Sequence, residues 1–454
     1  MSKHLEKKST LRLQLKGPRV SRRRWLQKTS QIVGSGLSAT LIPGFWTSLR
    51  AVARPSPNDR LRLAAIGVGN RGETNVLSFP DEQWVALCDV DRRYLRPMQS
   101  RFPQAAVYID FRELMQHADL DGVVISTPDH THYHAAKMAL EKGLAVFCEK
   151  PLAHSVQEVQ RLVKLAKETA AVTQTGMQHH ASDGYRTAAE VIRSGMLGPI
   201  DEVDVWTNRP IWPQGESLMP EAGAIPADLD WDRWLGPVPP QPYHSTLHPM
   251  GWRGWQDFGC GALGDMGPHL LDPVFWGLEL DQPTHITADS EPIPAGGFPK
   301  SSTIRFDFPA RADQPAIRVT WYDGGRQPPP DRTGATRLPG NGALVFGERG
   351  RMFLPDYGNR PILQSKSAAT PLRPPTPFLE KSPGIQREWT RAIREGTPVS
   401  CDFAYAARIT TTCLLGNIAL RLGKPLRWDV ATQTFLENPA ANQLLTRTYR
   451  ADWP

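Results

Sequence analysis

The sequence predicts an α/β protein in two halves: a doubly wound parallel sheet, then an α+β half with a large, mostly antiparallel open sheet. Three observations predict it. Between residues 61 and 182, short apolar runs alternate with amphipathic helical stretches, the pattern of strands covered on both faces by crossover helices. The first run, Leu63 to Ile66, turns directly into Gly67-x-Gly69-x-x-Gly72, a strand entering a helix through a glycine loop. After residue 200 the pattern changes to β-prone runs separated by long Pro/Gly/Trp-rich stretches.

Residues 1–53 hold 11 Lys+Arg and one acid. Ser21-Arg22-Arg23-Arg24-Trp25-Leu26-Gln27 resembles a twin-arginine export signal, a mildly apolar segment runs from Ile32 to Leu49, and Ala51-Val52-Ala53 offers a cleavage site. Gly34, Gly36, Pro43 and Gly44 make that segment too short and weak for a membrane span. The expectation is a periplasmic or otherwise exported protein that uses the twin-arginine machinery and keeps no stable membrane insertion after cleavage. The rest of the chain carries 42 Lys+Arg against 45 Asp+Glu, so the net charge of +7 over 454 residues belongs to the leader. A nearly neutral body gives no case for a nucleic-acid partner.

Residues 54–60 read as a polar linker, 61–182 as the first domain and 183–454 as the second, whose last helices and tail are expected to fold back on the first. Further strands are predicted at 84–89, 106–109, 122–127, 145–148 and 172–175. Helical patterns fall at 92–101, 111–117, 130–142 and 156–169, the last with Val159, Leu162, Val163 and Ala166 on one face. A helix over 185–194 is stopped by Gly195, Gly198 and Pro199. The β-prone runs that follow are 202–207, 285–288, 303–308, 316–322, 343–346 and 351–353, and helices close the chain at 386–395 and 403–422. The five cysteines, at 88, 148, 260, 401 and 413, show no C-x-x-C or zinc spacing, so no disulfide framework is expected.

The glycine loop predicts a dinucleotide site: Gly67 allows the tight turn, Gly69 the approach of a pyrophosphate, and Gly72 close packing of helix on strand. Asp89, at the end of the second strand, is placed for the adenosine ribose hydroxyls and favours NAD, because a 2′-phosphate would meet a carboxylate; Arg92 and Arg93 leave room for NADP. Three motifs follow later strands: Ser126-Thr-Pro-Asp-His-Thr-His132, Glu149-Lys150-Pro151 and Gly176-Met-Gln178-His-His180. Ligands of open α/β sheets bind at these strand ends. Lys150 there could support a developing alkoxide. Asp265 and His269, four apart, share a face over one helical turn; the aspartate could fix the tautomer of a histidine that takes a proton from a carbinol, cap the helix, or pair as metal ligands. No third ligand has a matching spacing, and His130, His132, His134, His179 and His180 are expected to be hydrogen-bonded, so no metal is expected. Trp206, Trp212, Trp231, Trp234, Trp252, Trp255 and Trp321 crowd the second half; Trp212, Arg253, Asp257 and Tyr322 are the candidate substrate contacts.

Together, Gly67-x-Gly69-x-x-Gly72, Asp89, Thr127-Pro128 with His132, Glu149-Lys150-Pro151, Gly176-Met-Gln178 and Asp265-x-x-x-His269 resemble the glucose-fructose oxidoreductase / inositol dehydrogenase / rhizopine catabolism (Gfo/Idh/MocA) family, over nearly everything after the leader. The resemblance implies an N-terminal Rossmann domain and a C-terminal domain whose open sheet often forms an oligomer interface, hence a homodimer or homotetramer. It implies Lys150 as catalytic lysine, His269 as acid/base and Asp265 as its partner. Expected cofactor contacts are Gly67, Gly69, Asn70, Arg71, Gly72, Asp89, Thr127, Pro128, His132, Glu149, Lys150 and Gln178. The expected activity is hydride transfer between a secondary alcohol of a sugar, glycoside or polyol and a tightly bound nicotinamide cofactor. Two readings compete: an NAD-dependent glycoside hydrolase working by transient oxidation and elimination, and a non-catalytic sugar- or cofactor-binding protein.

Overall fold

Strands that are apolar on both faces need a layer on each side, and the first half supplies it. The computed structural model describes residues 60–454, apart from 118, 217–221, 312–313, 334–336, 452 and 454. The expected export signal and cleavage site lie outside the described residues. Six parallel strands, β1 (Arg62–Ile66), β2 (Gln83–Cys88), β3 (Ala106–Tyr108), β4 (Gly122–Ile125), β5 (Ala145–Glu149) and β6 (Thr173–Gly176), assemble in the order β3-β2-β1-β4-β5-β6. Every residue of β4 and β5 is buried, which is why they read as continuous apolar runs. The crossover helices are Arg71–Leu77, Arg92–Arg101, Phe111–Leu114, Asp129–Glu141 and Val156–Thr169. The last starts in a capping box between Ser155 and Glu158.

The order reverses between β1 and β4, so the crevice at their carboxyl ends is the ligand-binding position of this topology. The helix Asp183–Arg193 leads into the second sheet of nine strands: β7 (Ile200–Trp206), β8 (His285–Ser290), β9 (Ser302–Phe308), β10 (Ile317–Tyr322), β11 (Gly342–Gly347), β12 (Gly350–Pro355), β13 (Ile362–Ser365), β14 (Leu426–Asp429) and β15 (Thr434–Phe435). Its order is β13-β12-β11-β7-β10-β9-β8-β14-β15, with only the β7–β10 pair parallel.

A shared core ties the halves. Ala135, Ala136, Val156 and Leu162 from the first half belong to one buried cluster with Val203, Ile304, Val319 and Trp321 of the second sheet. The helix Ile385–Glu395 sends Trp389 into the first half, edge-on to Phe79 and Phe147. Phe403–Leu422, with buried residues on every face, is the central helix. The segment after β7 also reaches back to the end of β2: Arg92 N–H donates to the Asp228 carbonyl, Asp230 N–H to the Val90 carbonyl, and His248 Nε2 lies 2.9 Å from the buried Asp91 carboxylate. No helix among the described residues is long and apolar enough to cross a membrane.

Among the helices beyond those predicted are Gly261–Leu270, of which the sequence gives only the Asp265/His269 turn, and Asp272–Leu278. Gly261, Gly264, Gly267 and Pro268 make the first a poor helix by propensity. Close packing explains a glycine at 267, where a Cβ would stand 2.5 Å from Cys413 Sγ of the central helix. All five cysteines are buried and free.

Candidate active site

Gly67 has φ +80, and a Cβ there would stand 2.6 Å from the Ser126 carbonyl oxygen. At Gly72 a Cβ would stand 2.1 Å from the Gly67 oxygen. The loop therefore holds β1, the following helix and the end of β4 at a spacing that only glycine permits. Asp89 closes this cradle. Its carboxylate accepts the Val68 N–H at 2.8 Å and the Asp91 N–H at 2.9 Å. Burial pushes its pKa up to about 6, while the amides of Asp91, Val68 and Gly69 pull the other way. Thr127 Oγ1 is buried on the same side with no partner in the protein. A glycine turn, an acid at the second strand's end and an orphaned hydroxyl at the fourth fit a dinucleotide. Arg93 is bound to Asp91 through Nε and Nη2, so its charge is already committed.

Glu149, at the end of β5, is a knot. Its Oε1 accepts from Arg71 Nε at 3.1 Å, Asn75 Nδ2 at 2.9 Å and Gln178 Nε2 at 2.8 Å. A Cβ on Gly176 would stand 2.5 Å from this carboxyl group, so the glycine before Gln178 makes room for it. The structure thus brings Arg71, Glu149 and Gln178 together, as the motifs suggested, and adds Asn75, for which the sequence carried no signal.

Lys150 follows, joined to Pro151 by a cis peptide bond. Its Nζ lies 2.7 Å from Asp265 Oδ1 and 2.7 Å from the Asp265 carbonyl oxygen. Arg253 Nε reaches the same Oδ1 at 3.3 Å, with its guanidinium 4.2 Å from the Trp252 ring and 5.9 Å from Trp212. Burial works to raise the Asp265 pKa, but Lys150 and Arg253 hold it well below the usual carboxylate range. Asp265 and His269 do sit one turn apart on the helix Gly261–Leu270. The expected tautomer-fixing bond is absent, however: the carboxylate is spent on Lys150 and Arg253, and His269 Nδ1 is buried without a partner. Burial, then the charge of Lys150, pushes the His269 pKa well down, so the ring is a neutral base.

Two residues beside His269 complete its wall. The His179 ring centroid lies 5.4 Å from that of His269, and Tyr357 lies 4.7 Å from His179 and stacks 6.4 Å from His269. His179 belongs to the Gly176–His180 motif but is not among the sequence-predicted site residues; Tyr357, from the loop after β12, carries no motif. Among the described residues no three His, Cys, Asp or Glu gather as a metal site.

Three expectations need correction. Tyr322 lies on the opposite sheet face from buried Trp321, its hydroxyl donating to Asp204 Oδ1 at 3.4 Å, so its polar end is engaged within the sheet. Asp257 is exposed near Arg421, and its carbonyl accepts from Arg447. His132 has both ring nitrogens bonded to backbone carbonyls, leaving none for a cofactor. Arg253 stays bonded to Asp265, and Trp212 reaches this group only through the Arg253 guanidinium.

A nucleotide cradle facing a lysine–aspartate pair and a neutral histidine across the junction of two halves defines a two-domain dinucleotide-binding protein. The comparisons agree. The model of the oxidoreductase family with an NAD-binding Rossmann fold matches residues 61–177, and that family's C-terminal alpha/beta domain matches 186–305 and 338–454. The chain belongs to the Gfo/Idh/MocA oxidoreductase family, and residues 61–177 are its NAD-binding domain. It is 30% identical to the inositol 2-dehydrogenase of Burkholderia multivorans over 183 residues, 38% of this chain and 54% of that protein. It is 32% identical to a glycosyl hydrolase family 109 protein of a Shewanella species over 31% of this chain and 34% of that protein. The chain thus spans about half or less of the length of these curated relatives. The fold is that of the WlbA dehydrogenase from Bordetella pertussis, crystallised with NADH and UDP-GlcNAcA (TM-score 0.59, 14% identity, 82% of this chain and 99% of that one).

Proposed function

We propose that the protein is an NAD-dependent oxidoreductase that transfers a hydride between a secondary alcohol of a sugar, glycoside or polyol and a tightly held nicotinamide. The carrying observation is the Lys150–Asp265 pair, bonded at 2.7 Å, set one helical turn from the neutral imidazole of His269. Bound NAD supplies the hydride acceptor. His269 takes the hydroxyl proton as the carbinol C–H bond breaks, and Lys150 donates a hydrogen bond to the oxygen as it becomes a carbonyl. Arg253 shares the Asp265 charge and keeps Lys150 aimed. His179 and Tyr357, beside His269, supply aromatic rings suited to a sugar ring, with Trp212 and Trp252 packed behind Arg253.

The leader supports export by the twin-arginine route in the folded state. Free nicotinamide cofactor is scarce outside the cytoplasm, so the cofactor would travel bound and be recycled in place by a second carbonyl compound. The open face of the nine-stranded sheet supports a homodimer or homotetramer. The relatives named glycosyl hydrolase family 109 favour a second reading, in which the same oxidation is transient and a glycosidic bond is cleaved by elimination and hydration.

The test is to denature protein made in a host that loads it with cofactor, before and after exposure to sugars, polyols and glycosides, and identify the released nucleotide. Reduction by one sugar class is expected. Nucleotide left oxidised while a glycoside is cleaved would select the second reading. Absence of bound nucleotide would contradict recycling in place.

A further inference from the structure

His132 begins as a motif residue and ends as something else. Its ring, 1% exposed, lies between two backbone carbonyls: Nδ1 is 2.8 Å from the Pro151 oxygen and Nε2 is 2.8 Å from the Thr127 oxygen. Each carbonyl can only accept. A neutral imidazole carries one N–H, so one of these contacts would set a nitrogen lone pair against an oxygen lone pair at 2.8 Å. Two N–H groups satisfy both. His130, two residues earlier, makes the contrast: it approaches the Trp234 oxygen at 2.9 Å but the Phe258 oxygen only at 3.3 Å, and burial pushes its pKa down to about 3.

We propose that His132 is a permanently protonated imidazolium and a positioning residue, a charged strut fixing the cofactor-side loop after β4 against the Lys150–Pro151 peptide. The two carbonyls it holds belong to the two motifs that must stay in register. Thr127 borders the nucleotide cradle, and Pro151 is bonded to the lysine that faces Asp265. The groups around the ring suit a charge. Asp129, on its own helix, is buried, which pushes its pKa up, while His132 and Lys150 pull it back down, and its carboxylate accepts the Cys260 N–H. Cys148 of β5 lies against the ring. His130 and His154 oppose it, and both are held neutral by burial. Burial works against the His132 charge too, yet Cys148, Asp129 and the Pro151 carbonyl raise its pKa to about 10.

The kinetic part rests on the reading of Lys150 as catalytic; the protonation state does not, so the two can fail separately. The first arm is histidine-labelled nitrogen NMR of the full protein across about pH 6 to 9, a range that spans the ordinary histidine pKa. Two protonated ring nitrogens for His132 throughout are expected, and a ring that titrates below about pH 8 would overturn the charge. The second arm compares His132→Gln with the parent, both scored for bound nucleotide. A fall in kcat of about tenfold or more at unchanged KM and nucleotide occupancy is expected, the scale of one mispositioned catalytic group. Unchanged kcat, or lost nucleotide with kcat intact in the loaded fraction, would overturn the positioning role.

Discussion

Lys150→Met removes the charge at the centre of the site while keeping most of the apolar stem. In the parent, Nζ makes two 2.7 Å bonds to Asp265, and the Lys150 side chain is 13% exposed. Breaking a buried ion pair on one side costs about 3–5 kcal/mol when the partner is left alone. Asp265 is not left alone, because Arg253 stays at 3.3 Å. The stability loss should therefore fall below that range, at about 1–3 kcal/mol, and the protein should fold. The rate should suffer more. Removing one donor to a developing oxyanion costs about 10²–10³ in turnover, or about 2.7–4 kcal/mol of barrier. The nucleotide cradle is built from Gly67, Gly72, Asp89 and Thr127, none of which Lys150 touches through its ammonium. The assay is single-turnover reduction of bound nucleotide by the sugar that reduces the parent protein, with occupancy and thermal midpoint measured alongside. A variant that folds, keeps its nucleotide and turns over within about threefold of the parent would refute the reasoning, because an essential donor cannot be worth under about 1 kcal/mol.

Three more outcomes follow from the same geometry. His269→Gln should lower turnover by about 10²–10⁴, the range for a lost general base, and in the parent the acid limb of kcat/KM should lie below pH 6.5, because the folded ring is pushed well under that value. Gly72→Ala should abolish nucleotide retention, read by the nucleotide released on denaturation, since its Cβ would stand 2.1 Å from the Gly67 oxygen. Thermal stability should peak near neutrality. His130, with an ordinary pKa of 6.5 lowered to about 3, contributes stability above 6.5 that is lost on acidification, about 2 kcal/mol by pH 5. His132, raised to about 10, contributes stability below 6.5 that is lost as pH rises toward 10. Thermal midpoints measured from acid to alkaline pH should therefore fall on both sides, and a midpoint still rising at alkaline pH would contradict the His132 assignment.

The first half was legible because its code is local. β1 to β5 are short, largely apolar runs with polar stops, β6 is the polar Thr173–Gly176, and the glycine turn announces itself by spacing alone. The helix Gly261–Leu270 was legible only through the four-residue spacing of Asp265 and His269, since its glycines and proline read as loop. The partner of Asp265 was not legible: Lys150 is 115 residues away, and only the packing of the two halves joins them. Tyr322 was misassigned because a strand shows alternation but not which parity faces the site; Trp321 turned inward and its neighbour outward. His132 was found as a motif residue, yet its two carbonyl partners lie on different strand ends, which no spacing reveals.

The central claim is that a carbinol hydrogen of a sugar or polyol passes as hydride to nucleotide held by this chain. The most direct measurement offers carbon-deuterated sugars and polyols to the nucleotide-loaded protein for one turnover and weighs the released nucleotide. The account predicts reduced nucleotide carrying deuterium from the carbinol carbon, the label arriving about 10²–10³-fold more slowly in Lys150→Met. Nucleotide that stays oxidised and unlabelled with every sugar and polyol, while the parent protein is folded and fully occupied, would contradict it.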